Sequence, residues 1–267
     1  MLNKKVSLLL LLVGISTSIC WGNSKPMKSH IVKGNKEIFY YGSVHSNDVN
    51  DPMFSDIEES FVTFKPDIVL IEGGYNMVEF KERKDAMLRG EMAFVSYLSS
   101  LANVKKDNAE PSDSSINSIL IGKYSREKIF TMYILRQTFQ LINQAKNCKI
   151  DLEKEIVSYA NKELATRLFE DSSSLSFGDI TRIVEKESGI LLTSTNIMDK
   201  EVEIRRHLYK KGSETSKIHA EAVALRDAHT VRLAAKYLKD YNRIFIIMGN
   251  QHLMNQEDPL KKEVYKY

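Results

Sequence analysis

Two histidines follow apolar runs at the same spacing. "IFYYGSVH" places Gly42 three residues before His45, and "RIFIIMGNQH" places Gly249 three residues before His252. Glu72 follows the unbroken apolar run Ile68–Ile71 and precedes Gly73 and Gly74. A carboxylate flush with a buried strand end needs a partner in low dielectric. Two neutral imidazoles and a carboxylate make a ligand set for zinc, manganese or iron. The same three groups equally run general acid–base chemistry without metal, and the residue types alone do not separate the two. Glu110, ahead of Pro111, ends a further short strand, read here as an inner one. Ser112, Ser114 and Ser115 after it read as a polar surface loop, with no Gly-x-Ser-x-Gly elbow to make one a nucleophile.

The stretch 217–240 adds a cation. At 100° per residue, Glu221, Arg232, Lys236 and Lys239 share one side, the solvated stripe. Arg226 and Asp227 fall well away from it, among alanines, valines and leucines, where charges need compensation. Either they form a structural ion pair, or the guanidinium orients a substrate carboxylate or supports Glu72. His219 and His229 on this helix are weak ligand candidates, and His30 and His207 read as surface residues.

Positioning these groups at strand ends requires a sheet. "KEIFYYG", "PDIVLIEGG" and residues 243–248 read as strands, "SDIEESFVTFK" and "RGEMAFVSYLSSLA" as helices, and residues 23–35 as a polar lead-in. From Ser125 to about Lys211 the spacing is helical almost throughout, and the long last helix, about 214–241, feeds the final strand. Strands and helices alternating around a helical middle predict an α/β fold. Its central, mainly parallel sheet is flanked by helices, with a helical insertion over about 124–212 of a single 23–267 domain. Ligands collect beyond the carboxyl ends of such strands. The two Gly-x-x-His strands are therefore expected side by side and parallel, with both imidazoles in one cleft, about 3–4 Å apart if they share an ion.

Residues 1–22 carry Lys4 and Lys5, an apolar run from Leu8 to Ile15 and then small residues, the build of a secretory leader. The expectation is an exported, periplasmic or extracellular protein, with membrane contact only through an uncleaved leader or a weak lipobox at Cys20. Removing the leader takes two of the 38 basic residues and none of the 35 acids, so the net charge falls from +3 to +1. That balance excludes an electrostatic footprint for nucleic acid. Cys148 alone then remains, so no intramolecular disulfide forms and stability rests on burial.

In order, "GSVH", "PDIVLIEGG", "RGEMAFVSYLSSLA", "NAEPSD", "LRDAHTVRLA" and "IFIIMGNQHL" resemble the TraB/Tiki superfamily. That group is related to GumN-like proteins and, more remotely, to erythromycin-esterase-like and haem-binding ChaN-like proteins. The resemblance covers about 36–111 and 216–254. It implies hydrolysis of a peptide or small ester, with a divalent ion (manganese, cobalt or zinc) held by His45, His252 and Glu72. Glu72, Glu110 and Arg226 would be the catalytic side chains, with Asp227 adjacent and Glu91 opening a helix. The chain departs from the family pattern at Glu110–Pro111, where many relatives carry Asp-Arg, and at Gln251, where many carry a small residue. Two rival expectations stand beside it: a haem- or peptide-signal-binding protein without turnover, and a metal-independent esterase with His45 as general base.

Overall fold

The run Ile68–Ile71 is wholly buried, and it is buried because it lies inside a five-stranded sheet. The computed structural model describes residues 25–146, 149–169, 174–210 and 212–267. The expected leader over 1–22 and Cys148 lie outside the described residues. The strands are β1 (Met27–Lys33), β2 (Lys36–Ser43), β3 (Ile68–Ile71), β4 (Lys105–Asn108) and β5 (Arg243–Gly249), in the order β1-β2-β5-β3-β4. β2, β5, β3 and β4 run parallel, and β1 joins β2 antiparallel. The fold is α/β with a mostly parallel sheet, and the two Gly-x-x-His strands are neighbours as expected. Two expectations are corrected. Residues 27–33 are an edge strand, turned into β2 by Gly34 and Asn35, a two-residue hairpin loop. β4 is the opposite edge, not an inner strand.

Alternation along the strands sends odd and even residues to different helical layers. Tyr41, Val69, Ile71, Phe245 and Ile247 pack against α1 (Pro52–Phe64), α2 (Arg83–Leu88) and α3 (Glu91–Leu101). Ile38, Tyr40, Ile68, Leu70, Ile244, Ile246 and Met248 pack on the other side. A third core belongs to the helical middle. It is built by α4 (Asp113–Ile121), α5 (Arg126–Ala145), α6 (Leu152–Tyr159), the one-turn α7 (Thr166–Leu168), α8 (Phe177–Ser188) and α9 (Glu201–Tyr209). The long α10 (Glu214–Tyr237) joins the two regions: Ile218 and Ala222 sit in the helical core, Ala234 and Tyr237 on the sheet. Ser112, expected in a loop, instead caps α4 by accepting from the Ser115 N–H. Among the described residues no helix is long and apolar enough to cross a membrane.

β5 runs without a loop into α11 (Asn250–Val264), which the sequence reading did not anticipate. α11 packs with Leu253, Leu260 and Val264 on the even-numbered side of the sheet. Gly42 is required for this approach, not for a turn. A Cβ there would stand 2.6 Å from Asn250 Oδ1, 3.2 Å from Asn250 Cα and 3.3 Å from Leu253 Cδ1. Asn250 is itself tied down, accepting from Met27 N at 3.0 Å and donating to Lys25 O at 3.0 Å. Gly42→Ala is therefore expected to cost about 1–3 kcal/mol, the range for overpacking a filled site. A thermal melt should show a drop of several degrees, and an unchanged melt would mean that α11 moves aside freely.

Candidate metal centre

Glu72 continues the even-numbered face of β3, so its side chain turns toward α10 and α11. Gly73 and Gly74, at φ 80° and 73°, then carry the chain away in a backbone few other residues adopt. Glu110 lies two residues past the end of β4. His252 occupies the first turn of α11. Ligand atoms of these three buried side chains all lie within 4.8 Å of one another.

Each carboxylate is steered by a neighbouring strand end. Gly249 N donates to Glu72 Oε2 at 2.7 Å, and Gly73 N donates to Glu110 Oε2 at 3.2 Å. The other oxygens look inward: Glu72 Oε1 stands 3.8 Å from His252 Nε2, and Glu110 Oε1 stands 2.7 Å from Arg226 Nη2. At 3.8 Å the first contact is too long for a hydrogen bond. It does match two donors that each stand about 2.0–2.2 Å from a shared ion.

His252 is oriented from behind. Its Nδ1 is 2.5 Å from Asp227 Oδ1, and the remaining acceptor capacity of Asp227 is used by Asn255 Nδ2 at 2.8 Å and Gln256 Nε2 at 2.7 Å. Gln256 in turn accepts from the buried Tyr40 hydroxyl at 3.2 Å. With Nδ1–H donated to Asp227, Nε2 is the nitrogen presented to Glu72, as in histidines that hold a metal through one nitrogen and a carboxylate through the other. Arg226 and Asp227 are buried, as their helical phase predicts, and each serves a different member of the cluster.

Glu72, Glu110 and Asp227 meet the guanidinium of Arg226, with the charge of Arg136 also felt at Glu110, and two titration shifts follow. Burial opposes protonation of His252, yet the Asp227 hydrogen bond and the Glu72 charge outweigh it and hold its pKa above the ordinary value. Burial pushes the Glu110 carboxyl up; Arg226 pulls it down, Glu72 pushes it up again, and the result is upward. Two carboxylates and an imidazole nitrogen within 4.8 Å of one another fit a divalent cation of the manganese, cobalt or zinc type, which would displace any proton on that nitrogen.

His45 is not part of this group, which corrects the expectation of a paired-histidine ligand set. The reason is strand parity. Ser43 ends β2 on the odd-numbered face, toward α3, and donates to Glu91 Oε1 at 2.7 Å. His45, at φ 56°, turns to the same acid, its Nδ1 2.5 Å from Glu91 Oε1, and Ser46 N donates to Oε2 at 3.3 Å. His252 is held on the even-numbered face by α10. Adjacent strands thus deliver their imidazoles to different layers. Burial raises the pKa of Glu91, but His45 and Ser43 overcome it and hold the carboxyl below its usual range. Glu91, expected to open a helix, does so and also anchors His45.

A 730 Å³ cleft opens beside the cluster, between α10 and α11, with Arg226, Asp227 and His252 in its wall. Arg136 of α5, Tyr209 of α9 and His219 line it as well. Sequence reasoning missed Arg136, Tyr209, Tyr40, Asn255 and Gln256 as site residues. Only the last two left a signal: once α11 is known to be helical, His252, Asn255 and Gln256 fall on one side at i, i+3 and i+4. The chain matches no protein-family model, no curated protein and no solved structure.

Proposed function

We propose that this protein is a divalent-metal-dependent hydrolase of peptide or small ester bonds, with Glu72, Glu110 and His252 as the metal donors. The observation that carries the reading is the buried Glu72–Glu110–His252 group, backed on the far imidazole nitrogen by Asp227, with His252 also in the wall of the cleft. The resemblance to the TraB/Tiki superfamily supports the same chemistry with a different ligand set. When bound, a divalent ion would supply Lewis acidity toward a substrate carbonyl and toward the attacking water.

The side chains do the rest. Asp227 fixes the tautomer and rotation of His252, and Gln256 and Asn255 fix Asp227. Gly249 N and Gly73 N aim the two glutamates without adding positive side chains. Arg226, 2.7 Å from Glu110, fixes that carboxylate and offsets part of its charge. Arg226, which lines the cleft, stabilises negative charge developing on the substrate. Calorimetric titration of chelator-stripped protein with manganese, cobalt and zinc should give one saturable site. Hydrolysis of a panel of short peptides and esters should return with occupancy. Absence of saturable binding, or turnover indifferent to chelation, would overturn the proposal.

A further inference from the structure

The cleft has a second end, where α5 and α9 close on α10. Arg136, 8% exposed, lines both the cleft and a narrow extension of it between α4, α5 and α10. His219 faces the same space, its ring held edge-on by Tyr209 at 5.3 Å between centroids. Burial, with the charges of Arg136, Arg226 and His252, pushes the pKa of His219 down to about 3, so it is a neutral donor or acceptor near pH 7. The field at this end is positive. Between the two ends runs an apolar wall of α10, with Ala220, Val223, Ala224 and Ala228 on one side of the helix. From Ala220 to Ala228 the helix rises about 12 Å, the reach of three or four extended residues at about 3.3 Å each.

We infer that the cleft binds a short apolar chain by its terminal carboxylate. The carboxylate lies at Arg136 and His219, and the chain runs along α10 toward His252. A guanidinium in a low-dielectric cleft favours a planar carboxylate that it can meet with two parallel N–H donors. A volume of 730 Å³ suits a ligand of that size. The inference rests on the hydrolase reading only for which end of the ligand reacts; binding itself is independent of it.

The test is calorimetric titration of the full chain, stripped of metal, with N-acetyl-dialanyl-leucine, its C-terminal amide, and hexanoate. The acid should bind at least about tenfold more tightly than the amide, a difference of about 1.4 kcal/mol. Arg136→Gln should bring the acid to the affinity of the amide, and Arg136→Lys should keep part of the preference. Ala224→Phe, at an exposed position on the cleft wall, should weaken acid and amide together without changing the melt. It decides the matter should Arg136→Gln fail to fold. Hexanoate binding as tightly as the peptide acid would keep the carboxylate site and make its occupant an aliphatic acid. Equal affinity for acid and amide, a preference that survives Arg136→Gln, or binding untouched by Ala224→Phe would overturn the inference. Because no metal is present, loss of the hydrolase reading leaves these outcomes unaffected.

Discussion

Glu72→Gln is expected to lower divalent-metal affinity by at least about 100-fold, with hydrolysis falling in step, while the metal-free protein melts no lower than the parent. Even outer partners of metal ligands are worth about 10–100-fold, so loss of a charged donor sets the lower bound. The amide keeps the shape of the acid and an oxygen to accept from Gly249 N, now at 2.7 Å from Glu72 Oε2. Its nitrogen then faces His252 Nε2, where the carboxylate oxygen stands at 3.8 Å. Removing one of three clustered carboxylates also relieves repulsion in the absence of metal. The two effects separate a ligand from a structural acid: a structural acid would lose melting temperature and leave metal affinity alone. Calorimetry with manganese, and melts in chelator, read both.

Arg226→Met is expected to destabilise the metal-free protein by about 3–5 kcal/mol at neutral pH, the cost of leaving a buried charge without its partner. The charge is Glu110, whose side chain is 9% exposed and 2.7 Å from the guanidinium. The pH dependence has a definite sign. The folded-state pKa of Glu110 already stands above its ordinary value, and loss of Arg226 raises it further. Stability contributed by protonated Glu110 is full below the unfolded pKa of about 4.3 and is lost as pH rises through the higher folded value. The deficit should therefore shrink in acid and level off once pH has passed the raised folded value. Arg226→Met with Glu110→Gln should recover most of it. Denaturant titrations at several pH values measure this, and a deficit that is constant with pH would assign the loss to packing of the arginine stem instead.

The parts of the site legible in the sequence are those written by short periodicities. Glu72 was visible because four apolar residues precede it and two glycines follow. Arg226 and Asp227 were visible because helical phase put them on an apolar side. The adjacency of β2 and β5 followed from two matching apolar runs. The separation of His45 from His252 was not legible. It depends on which sheet face each imidazole inherits, and on α3 offering Glu91 on one face while α10 offers Asp227 on the other. The role of Gly42 was hidden for a related reason: a glycine that admits Asn250 looks, in one dimension, like a glycine that turns the chain. β1 was missed although Gly34–Asn35 is a hairpin signal, because the inner face carries Ser29 beside Ile31 and the outer face mixes Lys28 and His30 with Val32, which masked the alternation. α11 carries Pro259 and many polar residues, which hide a helix that only packing on the sheet makes stable.

Among the described strands of this sheet β5 comes last in sequence and sits in the middle, pairing with β2 across roughly two hundred residues of sequence. A chain emerging from the ribosome can assemble the helical middle from near neighbours. The strands β2 and β3 meanwhile have no route to each other, since β5 lies between them. Such long-range closure is slow, and until it happens the apolar edges of β2 and β3 stand open to other chains. Glu72 and His252 meet only at that closing step, because the N–H that aims Glu72 belongs to Gly249. The cluster thus cannot exist in a partly made molecule, and no truncation that removes β5 and α11 leaves it assembled.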